Sequence, residues 1–322
     1  MSFLHAVSRA MAGRIGRSPD GLAALIAFIA VVSGLVLLSP PAQAQAAGKL
    51  LLTGGVSTID GAAGGGLTPW AVTGSHATQG QIGASAFATG VNTTDYRLLA
   101  AGVALAWGDR AEVSLARQDF DTGNNLAPLG LPGLHLRQDI LGLKLRLAGD
   151  AVLDSDRWMP QVAVGLLHKR SDVGALAPTL FGPLGARRTG TDAYVSATKL
   201  LLAPGVLINA TVRATQANQG GVLGFGGAQG QGYRVMPELS VAKLLSRQVA
   251  VGLEYRAKPD NLNASVLGQG ALQEDDWFDI FVAWAPSKQL SITAAWVDLG
   301  RIAPAVQPRR QTGAYLSLQG AF

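Results

Sequence analysis

The chain contains no cysteine. This absence excludes a disulfide framework, thiolate metal sites, a cysteine nucleophile and a lipidated N-terminal cysteine. Charged residues are also scarce, at 15%, and the formal net charge is only +5. So small a net charge gives no reason to expect a nucleic-acid partner. What the chain has in quantity is glycine, at 41 residues, and hydrophobic residues, at 48%.

Long apolar runs are absent except near the N-terminus. Residues 1–20 carry three arginines, an apolar run occupies 22–38, and residues 42–44 read Ala-Gln-Ala. This order is typical of a secretory signal with its cleavage site. A run of 17 residues is short for a spanning helix, so we prefer cleavage after Ala44 to an uncleaved anchor. The predicted organisation is a removed signal peptide (1–44), an N-terminal segment (45–78) and a β domain (79–322).

The rest of the chain alternates apolar and polar residues with a period of two. In residues 248–256, for example, Val251 and Leu253 share one face while Glu254 and Arg256 share the other. Twelve segments of about ten residues follow this pattern, the length that a tilted strand needs to cross a bilayer. They are 79–91, 97–107, 110–118, 134–147, 158–169, 191–200, 206–215, 232–244, 248–256, 276–286, 289–299 and 311–322.

The connections between these segments alternate in length. After residue 97 the short ones are 108–109, 203–205, 245–247 and 286–288, with 149–156 as a longer member. The long ones are 119–133, 170–190, 216–231, 257–275 and 300–310. Outer-membrane barrels have short periplasmic turns and longer outer loops. The sequence therefore predicts an all-β fold, a transmembrane antiparallel up-and-down β-barrel of about 12 strands. Tryptophan and tyrosine residues near both ends of the segments predict two interfacial belts.

Residues 45–78 leave two possibilities open. They can supply two more strands, which would give fourteen, or they can fold into the lumen as a plug. The glycine-rich stretch 60–66 suits a sharp turn in either arrangement. Pro160 and Pro237 fall inside predicted strands, where a missing N–H donor requires a bulge or an edge.

The last twelve residues carry an assembly signal. A polar residue, a glycine and two apolar residues precede a terminal aromatic, as in the recognition signal of outer-membrane barrels. The residues are Gln311, Gly313, Leu316, Leu318 and Phe322. They predict a barrel assembly machinery and outer-membrane lipid as partners.

Several stretches together resemble the domain of unknown function 3034 family of proteobacterial proteins. The most distinctive are "LLLTGGVSTIDGAAGGGLTPWAV" (50–72), "GDAVLDSDRWMPQVAVGL" (149–166) and "EDDWFDIFVAWAPSKQLSITAAWVDLG" (274–300). The resemblance covers nearly the whole mature chain and implies export and an outer-membrane location. It supplies no activity and no catalytic residue.

Motifs of catalysis are absent from the sequence. There is no Gly-x-Ser-x-Gly, His-Glu-x-x-His or Walker sequence, and the glycine-rich run 220–232 does not fit a dinucleotide-binding fingerprint. His76, His135 and His168 have no ligand spacing. We therefore predict no enzyme activity, no cofactor and no metal, and rank an outer-membrane lipid hydrolase as the least favoured function.

The predicted inward face carries five cations and four anions. One interpretation is a passive pore for small polar or anionic solutes, and we slightly prefer it. The alternatives are a closed structural or binding barrel with paired charges, and uptake of hydrophobic molecules through apolar loops such as 124–133. Neither the solute nor the oligomeric state follows from the sequence. The inward residues are Glu112, Lys144, Arg146, Arg213, Arg234, Glu238, Glu254, Arg256 and Asp279.

Deletion of Phe322 is expected to impair insertion, because the terminal aromatic belongs to the predicted assembly signal. Export of the precursor should stay intact while the level of assembled protein falls. Fractionation of cells that express the truncated chain measures both quantities. Normal outer-membrane levels of the truncated protein would contradict the prediction.

Overall fold

The computed structural model describes residues 52, 54–78, 80–151 and 158–321. The predicted signal peptide (1–44) and the terminal Phe322 lie outside the described residues, so both stay predictions. All twelve predicted strand segments appear as strands. They are β1 (Ile82–Thr93), β2 (Arg97–Trp107), β3 (Ala111–Asp121), β4 (His135–Ala148), β5 (Gln161–Asp172), β6 (Thr189–Leu201), β7 (Val206–Thr215), β8 (Arg234–Leu244), β9 (Val249–Arg256), β10 (Trp277–Trp284), β11 (Leu290–Asp298) and β12 (Thr312–Ala321).

The twelve strands form a closed antiparallel barrel. Each strand pairs with the next, and β12 closes the ring on β1 with a register that runs from Gly313↔Thr93 to Ala321↔Ser85. The predicted fold class and strand number are confirmed. Residues 54–78 contribute no strand to the barrel, since their short strands Val56–Ser57 and Ala63–Gly64 pair with each other and with no barrel strand.

The two ends of the barrel differ. Short connections such as 108–110 and 202–205 lie at one end, called here the turn end. The opposite loop end holds the long connections 122–134, 173–188, 216–233, 257–276 and 299–311, together with the short 94–96. The loops contain a second hairpin (Ala264–Ser265 with Gly268–Gln269) and short helical pieces at Ala127–Leu129, Gly174–Leu176, Ala177–Leu180 and Asn218–Gly221. Across the described ranges, no helix has the length and apolarity to cross a membrane.

The two faces of each strand meet different surroundings. In β9, Ala250, Glu254 and Arg256 are buried inside the barrel, whereas Leu253 on the opposite face is 43% exposed. The same alternation places exposed large apolar side chains around the outer wall, which is the surface that a bilayer covers. They include Leu99, Val103, Leu105, Leu115, Leu141, Leu143, Leu145, Leu166, Val195, Ile208, Val212, Leu239, Val241, Ile280 and Val282.

The two prolines sit where the strand ladders can tolerate them. Pro160 precedes β5, which begins at Gln161, so the predicted strand start at residue 158 was too early. Pro237 lies inside β8, where its carbonyl accepts from the N–H of Ala257 and the β8–β9 ladder then ends at Glu238↔Arg256. A proline lacks only the donor, so it fits at the end of a ladder. The register shift in the barrel occurs elsewhere, between Arg146 and Ala148 of β4.

A charge in the middle of the apolar band should destabilise the barrel. Val103 is exposed on the outer face of β2, between Leu99 and Trp107. Val103→Arg should cost about 2–4 kcal/mol, because this position lies close to the middle of β2, where we expect the bilayer midplane. Leu99→Arg is the matched control, since it lies next to the exposed Arg97 at the loop end, and it should cost about 0–1 kcal/mol. Unfolding in lipid vesicles with denaturant measures both, and equal costs would refute the assigned depth.

Candidate functional site

The luminal segment, residues 54–78, runs through the inside of the barrel. Most of its side chains are buried, with Leu67 at 1% and Trp70 at 4% exposure. Its hairpin turns at Gly61, which has a positive φ of 91°. A Cβ at this position would lie 2.8 Å from the Cβ of Ala116 on β3, so only glycine fits both the turn and the close approach to the wall.

One ion pair on the wall holds the hairpin by its backbone. Glu112 accepts hydrogen bonds from the N–H groups of Ala63 (3.0 Å) and Gly74 (2.8 Å). Lys144 donates to the carbonyl of Ala63 (2.7 Å) and to that of Val72 (2.9 Å). The two side chains lie 3.3 Å apart. Together they bind four backbone groups of the segment, two of which belong to Ala63 in the short hairpin.

Neutral polar side chains of the wall bind the middle of the segment. The carbonyl of Pro69 accepts from Ser196 Oγ (3.0 Å) and Thr211 Oγ1 (2.8 Å). The N–H of Ala71 donates to Thr198 Oγ1 at 2.8 Å. The polar inward face of these strands is thus paired with the backbone of the segment, which takes the place of solvent.

A carboxylate pair lies on the wall formed by β9 and β10. Glu254 accepts from the N–H of Leu67 (2.8 Å) and from Thr68 Oγ1 (2.5 Å). It also accepts from Ser240 Oγ at 2.7 Å. Asp279 is the register partner of Glu254, and both side chains are buried. This part of the lumen is acidic.

A larger cluster of ion pairs surrounds Asp60 of the luminal segment. Asp60 lies 3.2 Å from Lys169 Nζ, 3.1 Å from Arg256 Nη1 and 3.9 Å from Arg213 Nη1. Asp192 and Glu238 complete the cluster: Asp192 lies 3.1 Å from Lys169 Nζ, and Glu238 lies 2.5 Å from Arg213 Nε.

Because this cluster is buried, its ion pairs strongly affect the stability of the barrel. All six side chains are at most 4% exposed. Removing one partner from such a cluster leaves an uncompensated charge in a medium that cannot solvate it.

The loop end is covered by residues 216–226, which fold inward. Gln219, with a φ of 47°, donates its N–H to Glu274 Oε2 at 2.8 Å and accepts from Lys258 Nζ at 2.5 Å. Burial raises the pKa of Glu274 to about 7 although Lys258 opposes the shift. Burial also lowers the pKa of Lys258 to about 8. Below these loop residues, Lys169 Nζ donates to the carbonyl of Gly220 at 2.9 Å.

Two small cavities lie inside the part of the barrel that the structure describes. A cavity of about 40 Å³ lies below the loop end, among apolar side chains such as Ile59, Phe120 and Trp277. Another of about 30 Å³ lies towards the turn end, beside Trp70 and Phe281. Cavities of this size hold a few waters at most. At these two places the luminal segment and the wall therefore pack closely.

The inward residues predicted from the sequence fall into separate groups. Arg213, Glu238 and Arg256 meet around Asp60, Glu112 pairs with Lys144, and Glu254 adjoins Asp279. Two others lie near the ends of the barrel. Arg146 is partly exposed near the turn end, 2.5 Å from Asp109, and Arg234 is exposed near the loop end of β8.

Three members of the central cluster were missed by the sequence prediction. Lys169 follows the inward parity of Ala163 and Leu167 in β5, and Asp192 shares a face with Tyr194 in β6. Continuing the alternation to the strand ends would have found both. Asp60 had no such signal, because the glycine-rich stretch around it has no period.

The three histidines lie apart from one another. His76 contacts the carbonyl of Lys288, His135 contacts Asp119, and His168 Nδ1 lies 3.0 Å from Thr191 Oγ1 on the outer wall. They do not converge on a common site.

Residues of the predicted assembly signal have structural roles at the barrel seam. Gln311 is buried, and its side chain donates to Asp95 Oδ2 at 2.8 Å. A Cβ at Gly313 would lie 2.0 Å from the carbonyl oxygen of Asn92, so a side chain there would block closure of β12 on β1.

Solved structures of outer-membrane proteins resemble this fold at low sequence identity. The NanC porin is 8% identical, with 74% of this chain and 98% of that chain covered and a TM-score of 0.47. An outer membrane channel from Pseudomonas putida F1 is 9% identical (77% and 97% covered, TM-score 0.46). Outer membrane phospholipase A from Escherichia coli is 8% identical (73% and 89% covered, TM-score 0.38). A likeness of this degree carries no argument about function.

The family of the chain rests on a separate comparison. No curated protein matches the chain. Residues 53–319 match the family described as "Protein of unknown function (DUF3034)". Because this match spans most of the chain and agrees with the resemblance seen in the sequence, the chain belongs to the DUF3034 family.

Proposed function

We propose that this protein is an outer-membrane channel for small polar or anionic solutes, closed by the luminal segment in the state described. The observation that carries the proposal is the manner in which the segment is held. Wall side chains bind its backbone through hydrogen bonds, as Glu112, Lys144 and Thr198 do. The outer-membrane location is supported by the apolar band on the outer wall and by the predicted signal peptide.

A polar inner wall favours a lumen that can fill with water. A core that is filled permanently is stabilised by apolar contacts, and polar groups in it are a cost unless all are paired. The wall around the segment can instead exchange each bond to the segment for a bond to water. Its polar members include Ser114, Gln118, Ser196, Thr198, Asn209, Thr211 and Ser240, all buried.

Two barriers must move before a solute can pass. The first is the luminal segment, and the second is the inward-folded part of the 216–233 loop. Lys169 contacts both, because its Nζ lies 3.2 Å from Asp60 and donates to Gly220. Displacement of the segment breaks the first of these contacts, so Lys169 keeps only Asp192, at 3.1 Å, as a carboxylate partner beside Gly220. We therefore propose that the two barriers open together.

A closed structural barrel is the second candidate, and the completeness of the ion pairing favours it. Around Asp60, three cations face three carboxylates, so the cluster is neutral as it stands. A barrel with only a structural role needs no more than this. The two candidates differ in whether the luminal segment ever leaves its place.

A disulfide between the segment and the wall should lock the channel shut. An ideal Cβ at Gly74 lies 3.3 Å from Ser85 Oγ, close to the separation that a disulfide requires. We expect openings of the wild-type protein in planar bilayers, their loss in oxidised Gly74→Cys/Ser85→Cys, and their return on reduction. Because the chain has no other cysteine, the bond formed is unambiguous.

The two single-cysteine variants are the controls, and oxidation should leave their openings unchanged. A wild-type protein that never conducts would leave the closed structural barrel as the better interpretation. Openings that persist in the oxidised double variant would show that the segment does not close the path.

Replacing Arg256 should destabilise the barrel strongly. Its guanidinium contacts Asp60 and Glu238 and lies 5.3 Å from the ring centre of Trp277. Arg256→Ala should cost about 3–5 kcal/mol, because two buried carboxylates lose a partner. Arg137→Ala removes an exposed cation paired with Asp119 and should cost about 0–1 kcal/mol. Denaturant unfolding in vesicles compares them, and a cost of the same size for both would argue for a hydrated cluster.

A further inference from the structure

We infer that Lys169, Arg213 and Arg256 form a carboxylate-binding site on the channel wall. In this arrangement Asp60 occupies the place that the carboxylate group of a solute takes when the luminal segment is displaced. The inference rests on the proposed function for its physiological meaning. The site itself is a property of the wall in the state described.

Four wall side chains engage both oxygens of the Asp60 carboxylate. Lys169 Nζ lies 3.2 Å from Oδ1, and Gln118 Nε2 donates to the same oxygen at 3.1 Å. Arg256 Nη1 lies 3.1 Å from Oδ2, with Arg213 Nη1 at 3.9 Å from it. These groups come from β3, β5, β7 and β9, so the barrel itself holds them together without the segment.

The wall around this site is cationic once Asp60 is set aside. Lys169, Arg213 and Arg256 supply three positive charges, while Asp192 and Glu238 supply two negative ones, which leaves +1. The luminal segment has one acidic residue in positions 54–78, and that residue is Asp60. Its carboxylate therefore neutralises the net charge of +1 on the surrounding wall residues.

The rest of the lumen is less suited to an anion. The Glu112–Lys144 pair is neutral, and it binds backbone groups of the segment. Glu254 and Asp279 are both acids, so this pair supplies no cation to bind an anion. The site around Asp60 also lies directly below the covering loop, since Lys169 donates to Gly220. A solute that enters from the loop end thus meets this site below the loop.

The chemistry of the site favours a carboxylate-bearing solute. Arg213 and Arg256 are each held by a nitrogen on Glu238, which orients their planar groups. Their Nη1 atoms lie 3.9 and 3.1 Å from Asp60 Oδ2 and donate to Asp192 and to the carbonyl of Leu67, respectively. Oriented guanidinium groups and one ammonium match the two oxygens of a carboxylate. The group that fills the site in the closed state, the side chain of Asp60, is itself a carboxylate.

Chemical rescue of Asp60→Ala tests the site without any requirement for conductance. The variant leaves a net positive, partly vacated site, so its unfolding temperature should fall. Sodium formate should restore that temperature in a saturating manner, whereas sodium chloride at the same ionic strength should not. The wild-type protein should show no difference between the two salts, because Asp60 already fills the site.

Two variants serve as controls. Asp60→Ala/Lys169→Met removes a cation together with the carboxylate, so the site is balanced and formate should lose its effect. Thr68→Ala deletes a contact of the luminal segment with Glu254 without changing any charge, and formate should not rescue it. If Asp60→Ala fails to refold alone, its refolding yield with formate against chloride gives the same comparison.

The inference is overturned if formate and chloride act alike on Asp60→Ala, or if formate stabilises Thr68→Ala equally. Failure of the proposed function gives a different result. In that case formate rescues Asp60→Ala while the wild-type protein never conducts, and the site remains as a carboxylate-binding feature of a closed barrel.

Discussion

The structure depends on the need to pair every backbone N–H and C=O group of a wall that faces lipid. An open sheet would leave two unpaired edges in a medium without hydrogen-bonding partners, so the twelve strands must close into a ring. Closure occurs between the first and last strands, along the register from Gly313↔Thr93 to Ala321↔Ser85. At Gly313 the neighbouring strand comes so close that no side chain fits.

Closure also determines what the two faces can be. A strand places successive side chains on opposite sides, so one face of every strand meets lipid and the other meets the lumen. The outward face carries large apolar residues, and the inward face carries hydroxyl, amide and charged groups. Those inward groups then require partners of their own. The luminal segment supplies partners for several of them, mostly through its backbone, and the wall in return pairs part of the backbone of a segment that has little regular structure.

The buried charges determine which part of the luminal segment is bound at each position along the wall. The Glu112–Lys144 pair binds backbone groups, whereas the cluster of Lys169, Arg213 and Arg256 binds the carboxylate of Asp60. At the loop end, Lys258 and Glu274 both hold Gln219, and burial brings the pKa values of both groups towards neutrality. The lumen is thus closed by polar contacts at several depths. Such contacts can be exchanged for contacts with water.

The sequence alone determined the barrel and its two faces. A period of two is local, so residues such as Leu253 and Glu254 reveal their opposite faces without knowledge of any partner strand. The length of the segments and the alternation of their connections then led to about twelve strands, and fourteen were excluded only by the structure, in which residues 54–78 add no barrel strand. Lys169 and Asp192 also lay within reach of this reasoning, since they continue the parity of their strands.

Only the tertiary structure decided which inward charges meet. Glu238 lies on β8 and Lys169 on β5, and their convergence on one cluster depends on the closure and register of the whole ring. The path of residues 54–78 was equally hidden, because a glycine-rich stretch has no period and few conformational limits. The position of Asp60 follows from long-range hydrogen bonds to wall side chains, and no local pattern in the sequence encodes them.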